Sequence, residues 1–260
     1  MVPIRPGVHP CTGIVPGGSL RTPDATDAVV GTRSLFGINI RRSVITGRIY
    51  LIIATALAVL TSTLVLVEVP GQSAILNSLL PTDLPLFAVI GSTGALLVFV
   101  SDKMKGVHEY LIAYGIETTS IFASIVVAAM VLVSIVVGAT LAVVGGTIAV
   151  QTGTLPGALL RQVAVYSLPL AYTGTAFMTM AGMAWSSLAT PRMGVNGPAG
   201  IAPLLGIGPV LIVTILSSLV GPGWLPWLVG GVSLALLGMV ALLIGLLSRS
   251  KGRERFLSML

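Results

Sequence analysis

The chain has 260 residues, of which 55% are hydrophobic and 8% charged, with a net charge of +6 and a mean hydropathy of +1.02. Soluble domains carry roughly 25% charged residues, so this composition excludes an ordinary soluble domain and specifies an all-α integral membrane protein, since helices satisfy their own backbone in lipid. Strand-like alternation is absent, which argues against an outer-membrane barrel. The single cysteine, Cys11, allows no internal disulfide, and the two histidines, His9 and His108, have no metal-ligand partner at useful spacing.

Residues 1–32 hold Pro3, Pro6, Pro10, Pro16 and Pro23 and lack the apolar core of a signal peptide. They are expected to form a disordered tail. Residues 33–48 mix Leu35, Phe36, Ile38, Ile40, Val44 and Ile45 with Arg33, Arg41, Arg42 and Arg48. Two readings stand here: an interfacial helix lying along the inner membrane surface, or a plain juxtamembrane anchor.

Six charge-free runs follow, at about 49–67, 84–100, 119–143, 163–187, 202–220 and 225–247. A span needs roughly 20 apolar residues, so a six-span domain over 49–248 is predicted, with a basic tail at 249–260. An even number of spans puts both termini on one side. With that side cytosolic, every basic residue of the 14 except Arg161 is cytosolic, which the positive-inside rule favours. The expected location is therefore the cell membrane, multi-pass, with both termini cytosolic. Basic residues beside apolar spans suit anionic lipid head groups and the bilayer, not nucleic acid. The outer loops, 68–83 and 145–157, are too short for an external domain.

Between the second and third runs lies SDKMKGVHEYLIAYGIETTS, residues 101–120, which carries Asp102, Lys103, Lys105, Glu109 and Glu117. As a helix over 103–114 it places Met104, Val107, Tyr110, Leu111 and Tyr114 on one apolar face. Lys105, His108, Glu109 and Ile112 fall on the other, and Gly115 marks the stop. A short cytosolic helix is predicted, its apolar face on the spans or bilayer and its charged face outward. An ordinary membrane-surface helix without a partner has the same pattern.

The fourth run is the most polar. Ala171, Thr175, Thr179, Gly182 and Ser186 recur at three- or four-residue steps and share a face. That stripe is either a pathway lining or a helix-packing seam. Pro169 should kink the helix, and Trp224 and Trp227 read as interface anchors. No run contains Asp, Glu, Lys, Arg or His, which argues against a self-powered carrier. There is no G-x-S-x-G elbow, no carboxylate pair within a run and no G-x-x-x-x-G-K-[S/T] loop to cradle phosphates.

The arrangement resembles the permease subunits of type 2 ABC exporters. The residues that carry the likeness are Glu109, the run Leu111-Ile112-Ala113, and Tyr114-Gly115-Ile116, followed shortly by a long apolar run. Where family members often have a Gly-Lys pair before the third span, this chain has Thr118-Thr119-Ser120. The resemblance implies a compact six-span permease with an amphipathic helix before the first span and a coupling helix over 103–115, seated on a separate ATPase. By position, Lys105, His108, Glu109, Ile112 and Gly115 would meet the ATPase, with a second contact near Arg41 and Arg42. Tyr110, Leu111 and Tyr114 would tie the helix to the spans. It also implies a second permease copy or homologue. ATP and Mg would be bound by the partner, leaving this chain without cofactor, metal or catalytic residues. Readings of another class are a non-transporting structural subunit of a larger membrane complex, docked through the stripe of the fourth span, and an ion-coupled carrier or channel.

Overall fold

The computed structural model describes residues 25–68, 73–152, 157–188, 196–220 and 222–248. The basic tail 249–260 and most of the N-terminal region lie outside them. Among the described residues the protein is almost entirely helical and contains no strand. The α-helices are α1 (Ala25–Thr46), α2 (Arg48–Glu68), α3 (Ser73–Met104), α4 (Val107–Ala113), α5 (Thr118–Thr152), α6 (Gly157–Gln162), α7 (Leu168–Leu188), α8 (Asn196–Val220) and α9 (Leu225–Ser248).

By length and apolarity, Asp83–Met104, Thr118–Val150 and Leu225–Leu246 can each cross a membrane. Ser34–Thr46 and Arg48–Thr63, bent by 69°, add a fourth if the pair is one broken span. Among the described residues three or four candidate spans are thus seen where the sequence predicted six. α8 contributes only the shorter apolar stretch Ala202–Leu216. α7 is diluted by Tyr172, Thr173, Thr175, Thr179 and Ser186. Apolar helices of this length make the chain a membrane protein.

Several boundaries move. α1 starts two residues past Pro23, the last proline of the N-terminal region, so residues 25–32 are helical. α5 runs through Gly145 and Gly146 to Thr152, because Ile148, Ala149 and Val150 prolong its apolar pattern and no proline or charge interrupts it. α8 begins at Asn196, six residues ahead of the predicted run at 202–220, with Pro198 in the first turn where a missing N–H costs little.

The fourth run departs from a simple kink. α6 and α7 are joined by a π-helical turn, Val163–Ser167, in which the Leu168 N–H donates to the Val163 carbonyl five residues back. Pro169 has no N–H to offer the preceding turn, and the wider π turn just before it takes up that defect without breaking the helix.

α3 is the hub, packing on α1, α2, α5, α7 and α8; α7 is the second, packing on α3, α5, α8 and α9. In lipid, such association rests on close packing and small residues rather than on exclusion of water. The interior follows that rule. A Cβ on Gly182 would lie 2.7 Å from Leu96 Cδ2, and one on Gly206 would lie 2.6 Å from Val89 Cγ1. One buried cluster joins Leu96, Phe99, Phe122, Ile125, Leu132, Met178, Met180 and Met183. Another joins Ala54, Leu84, Val136, Val144 and Ala171 toward the opposite end.

α1 is not a free surface helix. It leaves α2 at Gly47 and packs on α3 and α5. Leu35, Asn39, Ser43 and Gly47, every fourth residue, are buried, whereas Ile38, Arg41, Ile45 and Arg48 are exposed. At the elbow the backbone ladder continues, from Gly47 N–H to Ser43 O at 2.8 Å and from Leu51 N–H to Gly47 O at 2.9 Å. The bend fits because Gly47 meets Gly94 of α3 backbone to backbone: a Cβ on Gly47 would lie 2.6 Å from Gly94 Cα.

Candidate coupling site at the charged end of the bundle

Where α3 ends, four elements converge on a polar cluster. Asp102, only 3% exposed, accepts a forked pair of hydrogen bonds from Arg42 of α1, Nη1 to Oδ2 at 2.7 Å and Nη2 to Oδ1 at 2.5 Å. Such bidentate geometry is the strong form of a guanidinium–carboxylate contact. One turn earlier in α1, Asn39 Nδ2 donates to Ser124 Oγ of α5 at 2.8 Å, and that hydroxyl donates to the Ile121 carbonyl at 2.7 Å. Lys103 Nζ donates to the Ser186 carbonyl near the end of α7. α1, α3, α5 and α7 are therefore tied at one level.

α4 hangs from this cluster. Gly106, at φ +67°, turns the chain out of α3 through a left-handed conformation that a side chain would resist. At its other end Gly115, at φ +82°, closes a Schellman cap: Gly115 N–H donates to Ile112 O at 2.9 Å and Ile116 N–H to Leu111 O at 3.0 Å. These two are the positive-φ residues among those described. The predicted helix and its stop at Gly115 are present, with the start moved to Val107.

The faces of α4 are turned relative to the sequence reading. His108 is buried, with its ring 4.6 Å from that of Phe99, which in turn sits 5.9 Å from Phe122. Ile112, one turn on, packs against the same core. Tyr110 and Tyr114, expected to anchor the helix, are 67% and 82% exposed, and Met104 is exposed too. Lys105 and Gly115 are exposed, Glu109 and Leu111 half-buried. The inward pair is thus His108 and Ile112, and the outward pair is Tyr110 and Tyr114. The reason is the aromatic surface of Phe99, which offers a flat ring a better seat than a phenol whose hydroxyl would need a buried partner.

Burial pushes the His108 imidazole down to about 4, with Asp102 opposing the shift and Lys103 and Arg42 adding to it. His108 is therefore neutral at pH 7. Because the folded protein binds this proton less tightly than an unfolded chain would, stability is full above about pH 6.5. It declines as pH falls toward 4, by on the order of 3 kcal/mol in total. Melting temperatures in detergent should drop across that window for the native chain. In His108→Phe, which keeps an aromatic ring on Phe99, the His108 share of that decline should vanish; an identical pH dependence would contradict the assignment.

The stripe of the fourth run lies inside the bundle. Ala171, Thr175, Thr179, Gly182 and Ser186 are all buried. Thr175 Oγ1 receives a 3.4 Å contact from Ser92 Oγ of α3, Thr179 Oγ1 donates to Thr175 O at 2.7 Å and Ser186 Oγ to Met183 O at 2.9 Å. With Gly182 pressed on Leu96 and Ala202, the stripe is a packing seam against α3 and α8.

The Arg42–Asp102 and Asn39–Ser124 contacts were not read from the sequence, which had Arg42 near a partner surface. The available signal was the small or polar series Asn39, Ser43, Gly47 at four-residue steps. No group of three or more His, Cys, Asp or Glu side chains that could hold a metal occurs among the described residues. No family model, curated protein or solved structure matches the chain.

Proposed function

We propose that this chain is the membrane-spanning subunit of an ATP-driven transporter, of the type 2 ABC exporter kind, moved by a separate ATPase that seats on α4. The observation that carries this reading is the construction of α4. One side is keyed to the bundle through His108 and Ile112. The opposite side presents Tyr110 and Tyr114 to the outside, with Lys105 and Glu109 beside them. Both ends are left-handed glycines, so the helix is attached at two defined turns.

In this reading the docking residues are Tyr110, Tyr114, Lys105 and Glu109, while His108 and Ile112 transmit movement to Phe99 and the α3–α5 core. The fork between Arg42 and Asp102 and the tie between Lys103 and Ser186 pass the same displacement to α1 and α7. The 260 residues contain no phosphate-cradling loop, so ATP and Mg belong to the partner. Six spans, both termini in the cytosol, a second copy of the permease and the outward direction of transport all belong to the same proposal. Exposed tyrosines are suited to it, since Tyr is enriched among residues that dominate binding energy at interfaces.

The test is extraction in mild detergent together with a Walker-motif ATPase expressed from a neighbouring reading frame. Co-purification is expected. The double change Tyr110→Ala with Tyr114→Ala should weaken it about 30-fold, about 2 kcal/mol at a hot spot, with the melting temperature unchanged. Glu109→Arg should abolish ATP-dependent transport in vesicles. An ATPase that never associates, together with undisturbed transport in Glu109→Arg, would overturn the proposal.

A further inference from the structure

The inner face of α1 is taken up by α3 and α5, through Leu35, Asn39 and Ser43. Its outer face has no such contact. There Ile38, Arg41 and Ile45 recur at three- and four-residue steps, and Arg48 and Ile49 follow just past the elbow. All five are exposed, Ile38 by 52%, Ile45 by 56% and Ile49 by 61%. No Asp or Glu occurs between residues 34 and 67, so this face carries two cations and no acid. Arg41 and Arg48 make no hydrogen bond or ion pair among the described residues, whereas Arg42 is turned inward onto Asp102. Three observations place the face at head-group depth. α3 ends its apolar span at Met104 and α5 begins its own at Thr118, and the fork from Arg42 to Asp102 holds α1 at that level. Tyr50 of α2 and Trp185 of α7 are each 43% exposed near the same end, as aromatic residues at a membrane–water boundary are. α1 and α2 meet at a bend of 69°, so with α2 upright in the bilayer α1 lies nearer the membrane plane than its normal.

We propose that this face docks α1 on anionic phospholipid head groups, with Arg41 and Arg48 taking phosphate oxygens and Ile38, Ile45 and Ile49 set among the upper acyl carbons. A guanidinium offers a phosphate two parallel donors. Two unpaired cations with no acid beside them favour a head group of net negative charge over a zwitterionic one, whose ammonium offsets its phosphate. The isoleucines favour a membrane over a soluble protein as the occupant. Large aliphatic side chains set between arginines on one helix face match a helix lying at a lipid boundary. The pair expected from the sequence to meet an ATPase, Arg41 and Arg42, is also divided, since Arg42 points into the bundle. The consequence is mechanical. α1 is joined to α3 by the fork and to α5 through Asn39 and Ser124, so a leaflet that holds Arg41 and Arg48 also holds the elbow closed on the bundle.

The full chain in a neutral detergent should be titrated with phosphatidylglycerol and, separately, with phosphatidylcholine, while its melting temperature is followed. Phosphatidylglycerol is expected to raise that temperature at lower concentration than phosphatidylcholine does. Near an anionic surface each arginine contributes about fivefold to affinity, so Arg41→Gln with Arg48→Gln should need about 25-fold more phosphatidylglycerol for the same gain. Without added lipid this variant should melt as the native chain does, because neither arginine pairs within the bundle. Arg41→Lys with Arg48→Lys should keep most of the response, since the charges remain. A photoreactive residue in place of Ile45, with both arginines intact, should cross-link to phospholipid in native membranes. Equal responses to the two lipids, or an unchanged response to phosphatidylglycerol in the glutamine variant, would overturn the proposal. Cross-linking of position 45 to a protein instead of a lipid would overturn it as well, and would assign the face to a partner chain.

Discussion

Arg42→Ala should destabilise the protein by about 3 kcal/mol, and Arg42→Ala combined with Asp102→Ala should recover most of that loss. The asymmetry comes from burial. The Asp102 side chain is 5% exposed and that of Arg42 39%. Removing the arginine therefore leaves a carboxylate sealed among helix ends without its cation, the situation that typically costs about 3–5 kcal/mol. The partly wet guanidinium places the value at the lower end. Removing both partners deletes the charge to be solvated and leaves only the packing deficit. Arg42→Lys should fall between, because an ammonium cannot reproduce the two parallel bonds of the fork. Thermal or urea melts in one detergent would show the order, and a double variant no more stable than Arg42→Ala would exclude a burial cost as the cause. Since α1 is tied to α3 through this pair, the single variant should also loosen α1, seen as faster hydrogen exchange around Ser43.

Gly94→Val should be at least as damaging, about 3 kcal/mol or more, and should reduce the yield of inserted protein. Even a Cβ at this position would sit 2.5 Å from Gly47 Cα and 2.8 Å from the Ser43 carbonyl. Both neighbours are backbone, so no rotamer change relieves the clash and the α1–α2 elbow has to move bodily away from α3. Overpacking of a fitted interior costs about 1–3 kcal/mol even where side chains can adjust. Gly138→Ala offers the control. Nothing lies within 4 Å of its would-be Cβ, and Ala is the better helix former by about 1 kcal/mol. Comparable losses from both substitutions would show that glycine number, not the contact of Gly47 with Gly94, matters.

These two sites mark the limit of what the sequence discloses. The helical, membrane-embedded character was legible because it is carried by composition and by long uncharged runs. The short helix between them was legible as well, with its stop at Gly115, because a glycine closing an apolar-periodic segment is a local signal. Its orientation was not. Over residues 103–114 the apolar pattern ranks Tyr110 and Tyr114 above His108, yet the decision belongs to Phe99, on another helix, whose ring takes the imidazole. Likewise α1 reads as an interfacial segment from its own arginines. It is docked because Asp102 and Ser124 stand 60 and 85 residues away from their partners. Span ends fared worst. Gly145 and Gly146 punctuate the sequence but not the helix, since in an apolar run nothing competes with the helical backbone hydrogen bonds. The seam of Thr175, Thr179 and Gly182 left two readings open until α3 and α8 were seen against it.

The elbow at Gly47 also bears on the order in which the molecule is built. α1 leaves the ribosome before the partners that tie it to α3 and α5, which are made later: Gly94, then Asp102, then Ser124. At about 5–20 residues per second, the 85 residues separating Asn39 from Ser124 take roughly 4–17 s to synthesise. During that interval α2 can already occupy the bilayer while Arg42 and Asn39 remain solvated at its edge. α1 is thus among the last helices to settle, and its closure onto α3 and α5 reports that the centre of the bundle has been assembled.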